Sequence, residues 1–276
     1  MGFCDDIRLA CARVAARARH VRVVEEAVEP YARTLPAESP PAPDLPPGTP
    51  DEARAAFGLQ LNAVNFGSGW FPTLRKPPGL SGFRTVEAGL RAHGPWRAEE
   101  LARVEAAEVA AVFGQDAEHE LMALFARALR ELGALPMWRD VSSHGGEPVP
   151  FYKRAQLAAA DLHLQGIAPA RDLPSLTLFA DNLVPHVLRL DGVLEFEPEL
   201  VARIDSEELL DHDSAEEVEI RACAVHAVEL LVEAKPRQGE GKRHISATVV
   251  DNVLWHRGAG RRYKERPRHR ARTTAY

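Results

Sequence analysis

The amino-acid sequence predicts a mainly α-helical protein. Apolar residues recur every three or four positions through most of the chain, strand-type alternation between hairpin turns is nearly absent, and no internal repeat is visible. The first helical pattern runs from Asp5 to Val28, with Ile7, Cys11, Val14, Ala18, Val21, Val24 and Val28 in step and Pro30 ending it. Residues 36–50 (PAESPPAPDLPPGTP) hold too much proline for a helix or a central strand and read as a connector. Asp51 to Val64 is a predicted helix with Asp51 near its cap. The following NFGSGWFPTLRKPPGLSG is a loop, because its glycines and prolines are spaced too closely for regular structure. Helical patterns resume at Phe83–His93, Ala98–Phe113 and Asp116–Leu132. After Pro150 they continue through FYKRAQLAAADLHLQG, Leu176–Leu190, Pro198–Ile204, Ser214–Ala234 and Ile245–Trp255. Ser214 and Glu217 have the spacing of a capping box for the longest of these.

The 276 residues, 45% hydrophobic and 27% charged, are enough for a sizeable core in one large domain or two small ones. We read a single domain over residues 1–276, interrupted by the connector at 36–50. A formal charge of −6 argues against a protein built around a long nucleic acid, but not against one small anion in a local basic pocket. Cys4, Cys11 and Cys223 make no CxxC pair, which suits a reducing cytoplasm. MGFCDD is not a secretory signal and lacks the Ser or Thr of a myristoylation signal. No apolar run is long enough to span a bilayer, so no membrane association is expected.

Several groups could carry chemistry. EHE at 118–120 and DHD at 211–213 lack the HExxH spacing that sets two ligands on one helical face, so no metal is expected and a solvated acidic surface is the plainer reading. The absence of GxGxxG, Walker and GxSxG motifs argues against a dinucleotide or triphosphate cofactor and against a serine nucleophile; no cofactor is expected. Lys153 and Gln156 share a helical face, and Lys153 or Arg154 is either an ordinary surface cation or a phosphate donor. Glu219, Cys223 and His226 fall on one stripe, which either faces a polar cavity or carries a satisfied, partly buried His226 with an exposed Glu219. The basic end of the chain is either an ordinary solvated terminus or, as Arg270, Arg272 and the closing aromatic Tyr276 suggest, a docked segment whose arginines could belong to an anion site. Asp181 lies inside the apolar run SLTLFADNLVPHVLR. A carboxylate there must be paired, hydrogen-bonded or neutralised, so it is either a structural cap or a catalytic group.

Six segments together resemble the queuosine salvage family, the queuosine 5′-phosphate N-glycosylase/hydrolases. LTLFADNLVP resembles its Phe-Ala-Asp-Tyr-Arg-hydrophobic-Pro-Gln signature, PVPFYKRAQLAAAD its Phe-Tyr-Lys-Arg-Ala-Gln helix and EVEIRACAVHAVEL its Glu-Val-Glu-Ile-Arg-Gly-Cys helix. VVDNVLW, PRHRARTTAY and LNAVNFGSGWF are similar to three further segments, in the same order along the chain from about Val21 to Tyr276. The chain departs from that pattern at Asn182, Leu183, His186 and His226 and by a GSG insertion before Trp70.

The resemblance implies an all-helical, DNA-glycosylase-like scaffold and hydrolysis of the N-glycosidic bond of queuosine 5′-monophosphate, which frees queuine for tRNA modification. It assigns the catalytic carboxylate to Asp181, where it would face an oxocarbenium-like ribose. It further suggests Asn65 and Asn182 as hydrogen-bonding groups and Phe66, Trp70 or Phe71 as stacking partners of the base. Glu219 and Asp251 would meet the diol or ammonium of queuine, and Lys153, His269 and Arg272 the 5′-phosphate. The expected partner is a small modified nucleotide. A ribosyl hydrolase for a related deazapurine nucleotide or nucleoside and a non-catalytic tRNA- or base-binding module are the alternatives.

Overall fold

Thirteen α-helices, three single-turn 3₁₀ helices and four short strands make up the regular structure of the described residues, so the expectation of a mainly helical fold holds. The computed structural model describes residues 2–38, 48–235 and 245–276, and most of the expected connector lies outside them. The chain divides into two compact units.

The first unit takes in the described part of Met1–Ala42 together with Asp140–Lys153 and Arg171–Ala271. Its centre is α11 (Ala215–Ala234), where Val218, Ile220, Ala222, Val225, Ala227, Val228 and Leu231 are all fully buried. A helix apolar nearly all round must be covered on every side. Here α1 (Phe3–Ala15), α2 (Glu25–Thr34), α9 (Leu183–Leu190) and α12 (Ala247–Gly258) cover it. Ser214 caps α11 as its spacing predicts, its hydroxyl accepting the Glu217 amide, whereas the Glu217 carboxylate reaches past it to the Asp213 amide.

Three expected helices change in this unit or the next. The pattern from Asp5 to Val28 is one helix in the sequence, yet α1 stops at Ala15. The Glu219 carboxylate takes the amides of Arg19, His20 and Val21, so those donors cannot continue a helix. The chain turns instead into β1 (Val21–Val23), antiparallel to β4 (Leu194–Phe196) with Val21 opposite Phe196. Pro30 lies inside α2, which gives up one backbone bond there, and does not end a helix. The helix expected from Leu176 begins only at Leu183, because Asp181 Oδ1 accepts the Leu183 and Val184 amides and so starts α9 from outside. The hairpin of β2 (Val141–His144) and β3 (Glu147–Pro150) turns through Gly145 and Gly146, both at positive φ (59° and 82°), the backbone a two-residue type I′ turn requires.

The second unit comprises the described part of Pro43–Arg139 with Arg154–Ala170 and Arg272–Tyr276. It holds α3 (Asp51–Ala63), α4 (Gly82–His93), α5 (Ala98–Leu101), α6 (Ala106–Phe113), α7 (Glu120–Arg130) and the part of α8 (Lys153–Leu164) from Arg154 onward. The pattern expected as one helix over Ala98–Phe113 is broken between α5 and α6. Its core is aromatic: Phe66 meets Phe125 at 5.1 Å and Phe113 meets Phe125 at 5.7 Å, both edge-on. Arg154 is buried here and holds loop backbone, donating to the Ala63 carbonyl at 2.7 Å and the Met137 carbonyl at 2.6 Å. Tyr276 is buried and its backbone oxygen accepts the Gly67 amide at 3.0 Å, so the closing segment is docked as its aromatic end suggests. Gly67 sits at φ 103°, and a Cβ there would lie 2.8 Å from Leu121 Cδ1.

Candidate active site

In the first unit, the buried residues 177–180, tightened by a bond from the Ala180 amide to the Leu178 carbonyl at 3.0 Å, deliver Asp181 to the head of α9. Only Oδ1 of Asp181 is engaged by the helix amides, at 2.7 Å from Leu183 N and 3.2 Å from Val184 N. Oδ2 accepts no hydrogen bond from the described residues. Asp181 therefore caps a helix and still carries a carboxylate oxygen that can face a cation.

Asp251, on α12, is buried beside it and accepts the Phe179 amide at 3.2 Å. Burial and the Asp181 charge push the Asp251 carboxyl well above the usual carboxylate range, against the pull of the Phe179 amide and the Lys153 ammonium. Lys153, the first residue of α8, is itself buried, and its amide is capped by Asp140 Oδ2 at 3.0 Å. Three of the residues singled out from the sequence thus meet in one electrostatic neighbourhood. A buried carboxyl pushed toward its protonated form beside a second carboxyl group and an ammonium is an arrangement in which one acid can donate a proton.

The segment after α13 (Arg261–Lys264) is pinned to the same unit. Asn182 Nδ2 donates to the His269 carbonyl at 3.1 Å, His186 Nε2 bonds the Tyr263 carbonyl at 2.9 Å, and the Leu210 amide donates to the Arg270 carbonyl at 2.9 Å. Asn182 and His186, two departures from the family signature, thus bind this segment and α13 before it to the rest of the unit. His269 is buried, and desolvation with the nearby cations Arg221, Arg268 and Arg189 pushes it down to about 3. With no anion bound it offers a hydrogen bond near neutral pH rather than a charge. His186 is pushed down to about 4, chiefly by burial. Arg268 was not singled out by sequence. Burial pulls its guanidinium down while the Asp181 carboxylate pulls it up, which makes it a cation of the Asp181 neighbourhood. The only sequence signal was its place in the PRHRAR run.

Glu219 is positioned otherwise. Oε2 accepts the amides of Arg19, His20 and Val21 at 3.0, 2.7 and 3.2 Å, and Oε1 lies 3.1 Å from His144 Nε2. Both oxygens hold the fold together, which leaves no face for the diol or ammonium expected of this residue.

In the second unit, Phe66 is a core residue, edge-on to Phe125 with Arg154 over its ring at 5.1 Å. It has no open face for stacking on a base. Trp70 is buried with its indole N–H donating to Glu120 Oε2 at 2.8 Å. The Arg272 guanidinium lies 5.9 Å from the Trp70 ring and 4.0 Å from Glu120 Oε2, with its side chain half exposed. Asn65 stands at the head of this loop, its amide bonded to the Asn62 carbonyl at 3.3 Å.

Among the described residues, His212, Asp213 and Glu217 bring possible metal-ligand atoms within 4.8 Å of one another. Glu217 already has the Asp213 amide on one oxygen and Arg221 Nη1 at 3.8 Å from the other. Cys11 and Cys223 are buried, and desolvation pushes both thiols up, so they pack as small apolar groups. None of the helices of the described residues is long and apolar enough to cross a membrane.

Comparison with known proteins matches residues 111–276 to the family described as queuosine salvage protein. A queuosine 5′-phosphate N-glycosylase/hydrolase of Sphaerobacter thermophilus is 32% identical over 277 residues, covering 82% of this chain and 82% of that protein. Proteins of the same name from Bos taurus and Dictyostelium discoideum are similar over shorter stretches. The first is 37% identical over 44% of this chain and 38% of the relative. The second is 36% identical over 50% of this chain and 44% of the relative.

Proposed function

This chain belongs to the queuosine salvage protein family, and on that premise we propose that it hydrolyses the N-glycosidic bond of queuosine 5′-monophosphate, releasing queuine for tRNA modification. The observation that supports this reading most is the neighbourhood of Asp181, Asp251 and Lys153. Breaking the C1′–N bond develops positive charge on the ribose, and a fixed carboxylate lowers the energy of that state. Asp181 carries it, oriented through Oδ1 by the α9 amides and open at Oδ2 to the sugar and to an attacking water.

A 7-deazapurine has carbon at position 7, so protonation there cannot expel the base. Hydrogen-bond donors to its other atoms must stabilise the leaving group. Asp251, whose surroundings favour the protonated form, is such a donor. Lys153 supplies positive charge beside the pair. Trp70 and Arg272 remain proposed substrate-binding residues on the strength of the resemblance. The same reading sets the protein in a reducing cytoplasm, which its free cysteines suit.

The test is to incubate the purified protein with queuosine 5′-phosphate, queuosine and guanosine 5′-phosphate and to follow free base by mass spectrometry. Release from the first and not the third is expected. Release from queuosine alone would move the substrate to the nucleoside, and salt-sensitive tRNA binding without any release would make the protein a binding module.

A further inference from the structure

The Arg221 side chain is fully buried on α11 and pairs with the buried Asp140 side chain through two parallel bonds, Nη1 to Oδ1 at 3.0 Å and Nη2 to Oδ2 at 2.6 Å. A buried ion pair is a poor source of stability, because removing two charges from water offsets their attraction. Its contacts here have another pattern. Arg221 Nε donates to the Ala180 carbonyl at 3.1 Å, one residue before Asp181. Asp140 Oδ2 accepts the Lys153 amide at 3.0 Å, and the Asp140 carbonyl accepts the Phe151 and Tyr152 amides at 2.9 and 3.1 Å. The Arg221 guanidinium also lies over the Phe151 ring at 3.9 Å.

Tyr152, immediately before Lys153, sits at φ 51°, the left-handed region that a bulky residue avoids. Such a residue persists only where its surroundings over-determine it. Asp140 supplies that constraint from the backbone side, and the Phe3 ring packs on Tyr152 at 4.8 Å.

We infer that the Arg221–Asp140 pair is a positioning couple: it holds the backbone that bears Asp181 and the backbone that bears Lys153 in one frame, so that α11 sets the placement of the carboxylate against the ammonium. The couple touches no reacting atom. It rests on the reading of Asp181 and Lys153 proposed above, while the coupling of the two segments can be measured without it.

Arg221→Lys keeps the charge and removes the fork. Native-state hydrogen exchange in peptides covering 151–154 and 179–184 is expected to accelerate together, by about tenfold, while 222–231 keeps its wild-type protection. With queuosine 5′-phosphate, kcat is expected to fall about thirtyfold with KM within about threefold. In an Asp181→Asn background the same change is expected to produce no further loss in kcat, because the couple acts through Asp181. Acceleration in only one segment or in neither, or a loss that multiplies with Asp181→Asn, would overturn the inference. A wild-type protein that releases no base removes the functional reading and leaves the exchange data to decide the coupling. If Arg221→Lys does not fold, the isosteric Asp140→Asn is read in the same two segments with the same expected and overturning results.

Discussion

Replacing Asp181 separates its two roles. Its Oδ1 caps α9 through the Leu183 and Val184 amides, at 2.7 and 3.2 Å, whereas its charge is the proposed catalytic element. Asn keeps an oxygen where Oδ1 stands and is as good a cap as Asp, so Asp181→Asn should change stability by less than about 0.5 kcal/mol. Asp181→Ala loses the cap and should cost about 1 kcal/mol, a fall of roughly 2–4 °C in melting temperature for a chain of this size. Both lose the carboxylate proposed to face the ribose, and removal of one such electrostatic group lowers kcat by about 100- to 1,000-fold. The two variants should therefore differ in melting temperature and agree in lost activity. Calorimetry and mass-spectrometric measurement of base release read the two quantities separately. If Asp181→Asn retains more than about a tenth of wild-type kcat, Asp181 is a cap alone and the catalytic reasoning is wrong.

Three further changes test other parts of the structure. Because the folded state raises the Asp251 carboxyl, folded protein holds a proton that the unfolded chain releases above about pH 3.9. Stability therefore falls as pH rises from there toward the folded value, by up to about 1.4 kcal/mol per unit. Asp251→Asn should gain on wild type in denaturant titrations as pH rises through that window, and parallel curves would contradict this. Glu219→Ala strands the amides of Arg19, His20 and Val21 and should cost about 3–5 kcal/mol in urea unfolding; a cost below about 1 kcal/mol would show that water replaces the carboxylate. Gly67→Ala meets Leu121 and a positive φ and should destabilise by about 1–3 kcal/mol, with a neutral result excluding that geometry.

Helix character was legible because apolar periodicity is a local signal, and α4, α10 (Pro198–Asp205) and α12 lie close to where it sets them. The longest helix was legible through both its pattern and its Ser214 cap. What the sequence hides are side chains that compete with helices from a distance. Glu219 ends the α1 pattern from about two hundred residues away. The Asp181 carboxylate breaks an apolar run that reads as continuous. The hairpin at Gly145-Gly146 was not read from the sequence, because its strands are too short to show alternation. At the candidate site, Asp181 stood out because burial of a carboxylate is improbable without a reason. Asp251 and Lys153 are joined to it only in three dimensions. Phe66 and Glu219 have the residue types of ligand contacts, yet tertiary packing commits the ring and the carboxylate to the fold. Arg154 likewise reads as a surface cation or phosphate donor and is a buried backbone clamp.

Product stoichiometry in phosphate-free buffer tests the central claim most directly. Wild-type protein given queuosine 5′-phosphate should yield queuine and ribose 5-phosphate in equal amounts, and Asp181→Asn should yield almost none. Absence of queuine from the wild-type reaction, or its appearance only when inorganic phosphate is added, would contradict hydrolysis at the Asp181 carboxylate.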